Sequence, residues 1–187
     1  MIHEPGSIKV FGIMHLVVAA YGILMGVIGL VGTMFFQGMS KGLASGSMPG
    51  GPSSSEQETA MMQYMNELKP FTYVSLAFSF FLAAMLIIAG IGLLKSRNSG
   101  RLLSIRYAWL SIITKLITLV YTFTHVIPAT KRMTETLYQG MPGAMSNTMG
   151  SVMQYSQVFS ILITFTYPVV VLFMMKSEKV RQYLAGR

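Results

Sequence analysis

A chain of 187 residues that is 52% apolar, only 11% charged and of mean hydropathy +0.56 has the composition of a protein solvated by lipid, not of a soluble globular domain. Its formal charge of +8 does not point to nucleic acid, because the cations are spread over three membrane-proximal segments without a folded basic domain. The absence of cysteine removes disulfides and thiolate metal sites, so any outer loop must be held by packing alone.

Four apolar stretches, residues 8–36, 71–94, 102–127 and 156–175, each reach the ~20 residues that cross ~30 Å of hydrocarbon. The expectation is an all-α integral membrane protein: one domain, residues 1–187, of four transmembrane helices in a bundle, with short amphipathic helices in two outer loops at 37–70 and 128–155. The first stretch is far longer than the ~7–15 residues of a signal-peptide core and lacks a small-x-small cleavage site followed by a polar mature start, so it reads as a retained helix. It carries Gly12, Gly22, Gly26, Gly29 and Gly32, with Gly22-x-x-x-Gly26 on one face. Small residues let helices approach where lipid supplies no hydrophobic force, so Gly22, Gly26, Gly29 and Gly32 are the candidate packing surface for span two or another subunit. Span two offers Ser79, Ala83 and Ala84 in return.

The first outer segment opens on GLASGSMPGGPSSS, which reads as loop. Ser55 and Glu58 then form a capping box, and Met61, Tyr64, Met65 and Leu68 follow at helical spacing, so a short amphipathic helix should lead to a joint at Pro70. In the second outer segment Pro128 ends span three and Gly140-Met141-Pro142-Gly143 breaks the chain between two helical patterns. The two segments share Met-Pro-Gly followed by Met-Gln-Tyr, and Lys95-Ser96 and Lys176-Ser177 close the spans that follow. These matches outline a tandem repeat, 1–97 and 101–187, against the alternative of chance agreement in a chain rich in Met, Gly and Ser; parallel repeats of some transporters have that form.

Span three holds the strongest site candidate. Ser104, Ser111, Lys115, Thr118, Thr122 and His125 fall at steps of three, four or seven on one face, and Lys115 lies about midway along it. An ammonium there costs ~2.5–3.5 kcal/mol on insertion scales, and no Asp or Glu lies in any span to pair with it. Ser111, Lys115, Thr118, Thr122 and His125 are therefore cavity or ligand candidates; the bland alternative is that the hydroxyls bond their own helix while Lys115 snorkels. His15 and His125 lie too far apart along the membrane normal to share a haem iron, and each is expected to be a hydrogen-bonded interface histidine.

Methionine is over-used, at 17 residues, and Met133, Leu137, Met141, Met145, Met149 and Met153 recur every four positions. Locally, M-x-x-x-M resembles three-helix copper transporters, and Met141, Met145, Met149 and Met153 are candidate Cu(I) thioethers. Packing is the commoner use of such a stripe, and no cofactor is assigned. H-E-x-x-H, G-x-S-x-G and Walker patterns do not occur in the chain.

Orientation follows from Lys and Arg near the membrane ends. With both termini cytoplasmic, nine lie inside (Lys9, Lys95, Arg97, Arg101, Arg106, Lys176, Lys179, Arg181, Arg187) and four outside (Lys41, Lys69, Lys131, Arg132). The expected setting is a cell membrane, a bacterial inner membrane, with anionic lipid at the cytoplasmic face. The expected function is non-enzymatic association, as a homo-oligomer or an accessory subunit with other membrane proteins. A small transporter or channel around Lys115 is the rival.

Overall fold

The computed structural model describes residues 6–44, 54–137 and 143–185, and all of their regular structure is helical: α1 (Gly6–Ala44), α2 (Ser54–Leu94), α3 (Asn98–Tyr121), a π-turn (Thr122–Val126), α4 (Ile127–Leu137), α5 (Gly143–Lys176) and α6 (Glu178–Ala185). Four runs are long and apolar enough to cross a membrane: Ile8–Phe35, Thr59–Leu94, Asn98–Thr136 and Val158–Lys176. Large apolar side chains such as Val17, Leu24, Phe81, Ile117 and Phe173 stand outward along them, a surface that water would not tolerate and lipid solvates.

All four span helices outrun their expected ends: α1 runs on to Ala44, through the first three residues of the stretch read as loop, and α5 begins at Gly143 and not at 156. The second passes through Pro70 unbroken, so the amphipathic stretch before it is the start of α2 and not a separate helix. The third continues beyond Val126 through Pro128 into α4, and its local device is the π-turn. There Ile127 N–H bonds the Thr122 carbonyl five residues back, and the extra residue in the turn makes room for a ring that would otherwise strike the preceding turn.

The chain divides into two compact units: Met1–Val27, Leu76–Leu116 and Leu162–Arg187 in the first, Ile28–Ser75 and Ile117–Ile161 in the second. The first holds the apolar core, to which α1 gives Ile8, Phe11 and Ala19, α2 Leu86 and Leu93, α3 Tyr107 and Ala108, and α5 Val171 and Met175. Its helices meet at glycines. A Cβ at Gly90 would lie 2.9 Å from the Gly12 carbonyl oxygen, and one at Gly100 would lie 2.5 Å from the Leu93 nitrogen, so only glycine permits either contact. Between Leu94 and Asn98 the chain reverses in three residues. Ser96, at φ 50°, donates its N–H to the Leu93 carbonyl while Arg97 donates to Gly92, which satisfies two orphan carbonyls of α2 in a Schellman turn.

α6 was not among the expected elements. The Ser177 carbonyl accepts the Arg181 N–H, Glu178 sits in the first turn, and Val180, Tyr183 and Leu184 bury one face in the first unit's core.

In the second unit the start of α2 lies against α4. Ala129, Thr130, Met133 and Thr134 are the buried face of α4, and Arg132 meets Glu67 of α2 at 3.1 Å.

Candidate functional site

The first unit encloses a polar group at its centre, drawn from three helices. His15 of α1 is fully buried; its Nε2 lies 3.0 Å from Ser104 Oγ of α3 and its Nδ1 2.8 Å from the Tyr167 hydroxyl of α5. Ser104 Oγ also donates to the Gly100 carbonyl at 2.8 Å. Both ring nitrogens thus have a hydroxyl partner on another helix, and every polar atom of the ring is answered. Tyr107 closes the group, its ring centroid 6.4 Å from that of His15 and 6.5 Å from that of Tyr167, with Ser111 as its hydroxyl's side-chain partner.

A serine, a histidine and an orienting third group have the spacing of a nucleophile and its base, but here His15 and Ser104 have no exposed surface. What the arrangement does is tie α1, α3 and α5 together. Interhelical hydrogen bonds in lipid are worth on the order of 0.6 kcal/mol each, up to ~1.7, and they also fix which faces meet.

The residues expected to share a face of span three fall in different surroundings. Ser111 is buried beside Tyr107, and Lys115 is half-buried with no hydrogen-bond or ion-pair partner among the described residues. Both belong to the first unit; Thr118, Thr122 and His125 belong to the second. Thr122 is buried on an open groove of about 430 Å³ that Val126, Ser156, Ser160 and Ile161 also line. His125, in the π-turn, is exposed, bonds Thr124 Oγ1 at 2.7 Å and stacks on Tyr121 at 4.6 Å, which in turn stacks on Phe71 at 3.8 Å.

Of the candidate packing glycines, Gly26 is covered: a Cβ there would lie 3.3 Å from the Phe80 ring of α2. A Cβ at Gly22, Gly29 or Gly32 would meet nothing within 4 Å. The close helix contacts use Gly12, Gly90, Gly92 and Gly100 instead, three of them in spans where the sequence pattern drew no attention to glycine. Of the candidate thioethers, Met141 lies outside the described residues, as do the side chains of Met145, Met149 and Met153.

Comparison with known protein families, with functionally described proteins and with solved structures finds no match. The class is therefore defined by the molecule itself: an all-helical membrane protein with four candidate spans and a closed polar centre in its first unit.

Proposed function

We propose that this protein has no catalytic chemistry of its own and works by association within a bilayer, as a homo-oligomer or an accessory subunit of an inner-membrane assembly. In this reading the four spans form a bundle with both termini cytoplasmic. The observation that carries it is a pair of runs on α1, Val17, Tyr21 and Leu24 in the first unit and Ile28, Val31 and Phe35 in the second, each at steps of four and three and with every residue more than half exposed. That is the 3.5-residue period of a helix seam that packs on another helix. Gly22, Gly29 and Gly32 each follow a residue of these runs and stand open, which would let a partner backbone come close.

The native chain contains no cysteine, so single cysteines report directly on this face. Cross-linking in membranes should join Val17→Cys, Leu24→Cys and Val31→Cys in adducts and leave Ala19→Cys, on the covered face, unjoined. Adducts of twice the chain mass identify a homo-oligomer and adducts with another protein an accessory subunit; equal yields at all four positions would sink association through α1. Orientation is checked in intact cells, where an impermeant thiol reagent should reach Ser146→Cys and spare Ser99→Cys, and the reverse pattern would invert the topology.

Lys115 favours a second reading, because a half-buried cation in a span with no described partner is the usual mark of an ion path. If it lines such a path, Lys115→Met should retain the fold and lose anion flux in liposomes. Equal flux in wild type and variant would remove this reading.

A further inference from the structure

We propose that the first unit holds one anionic phospholipid at a site formed by Arg106, Trp109 and Lys176. The inference rests on α3 and α5 crossing a membrane and is independent of whether α1 associates with a partner.

The outward stripe of α3 runs Leu102, Arg106, Trp109, Ile113 and Leu116, at steps of four and three, and all five are exposed. Arg106 is the sole charge on a surface otherwise suited to acyl chains. Its Cα lies about 12 Å along the helix from Asn98 at a rise of ~1.5 Å per residue, so its guanidinium must snorkel toward the headgroups. Lys176, the last residue of α5, comes to the same place: its Nζ lies 5.5 Å from the centroid of the Trp109 ring. Lys176 thus meets the Trp109 ring three residues along the lipid-facing stripe from Arg106.

Neither cation is answered by a carboxylate among the described residues. The neighbouring Arg101 differs, because its Nε donates to the Met175 carbonyl at 2.9 Å and it is spent in capping α5. Arg106 and Lys176 are left to bind an anion from the lipid side. A phosphate there gains charge-assisted hydrogen bonds from the guanidinium and ammonium, while its acyl chains lie along Leu102, Trp109, Ile113 and Phe173. A zwitterionic headgroup would bring its own cation into the same space, so a net negative lipid is selected.

Trp109 is the only tryptophan in the chain, so its fluorescence reports on this site alone. The full-length protein is reconstituted in phosphatidylcholine vesicles containing a small fraction of bromine-labelled phosphatidylglycerol or, in parallel, bromine-labelled phosphatidylcholine. The wild type should be quenched several-fold more by the anionic lipid, and inorganic phosphate in the buffer should not reverse this. Arg106→Gln with Lys176→Gln should abolish the preference, and Lys179→Gln with Arg181→Gln, which lowers surface charge equally, should retain it. Both replaced pairs are exposed, and circular dichroism of each variant verifies the fold. Equal quenching of the wild type by the two lipids, survival of the preference in the first double variant, its equal loss in the second, or its reversal by inorganic phosphate would each overturn the site.

Discussion

The two compact units handle polarity in opposite ways. Ten of the 14 Lys and Arg residues but two of the six carboxylates belong to the first unit, so the whole formal charge of +8 resides there, while the second sets four cations against four carboxylates. The first unit hides its key polar atoms: His15 and Ser104 have no exposed surface, and their partners come from other helices. The second displays its polar contacts, with the side chains of the Arg132–Glu67 pair 60% and 45% exposed and Lys131–Glu135 a turn apart on α4. A buried contact has no substitute when it is lost, whereas water replaces an exposed one. The first unit should therefore be the rigid and sensitive part of the molecule, and the second the tolerant part.

The largest test of that contrast is Gly100→Val. Even its Cβ would sit 2.5 Å from the Leu93 nitrogen, backbone against backbone, so α2 and α3 must separate. Overpacking of this kind costs ~1–3 kcal/mol and more where backbone is the obstacle. Gly29→Val, which meets nothing within 4 Å, should leave thermal unfolding in detergent unchanged. Similar melting of the two variants would mean that the glycine contacts of the first unit do not hold it together.

Next in size is His15→Leu, which leaves the Tyr167 hydroxyl and one face of Ser104 without their partner. Stranding buried groups costs ~1–3 kcal/mol, so the melting temperature should fall by several degrees. The counterpart in the second unit, Glu67→Gln, gives up an exposed pair worth ~0.2–1 kcal/mol, and its small effect should vanish in high salt. An equal loss at Glu67, insensitive to salt, would erase the distinction between the units.

How much of this was legible in the sequence depends on the range of the interaction. Span number and helical class come from runs of apolar residues, a local signal, and the structure has four such helices. The extension through Pro70 and Pro128 was not legible, because proline is a breaker only where the freed carbonyl and the crowded turn have no remedy, and a π-turn is a remedy without a sequence mark. α6 could have been read from Val180, Tyr183 and Leu184 at steps of three and one behind Ser177 and Glu178. For the site, helical periodicity grouped Ser104, Ser111 and Lys115 along one helix, yet Ser104 finds its partner 89 residues away in α1. Periodicity says which residues share a face and nothing about which helix that face meets. The same limit applies to glycine: the run on α1 was plain, but Gly90 and Gly100, isolated in their own spans, are where backbones touch.

The three-residue turn at Ser96 bears on how the chain enters a membrane at all. With Lys95, Ser96 and Arg97 as the whole link and Gly92 against Gly100 beside it, α2 and α3 cannot part by more than a turn near that end. They amount to one blunt-ended object whose tip carries Lys95, Arg97 and Arg101. Drawing each of those cations through the middle of the bilayer costs ~2.5–3.5 kcal/mol on insertion scales, and the turn is too short to spread that expense over separate crossings. The pair should therefore insert together, loose ends first, with its charged tip left on the side where synthesis began.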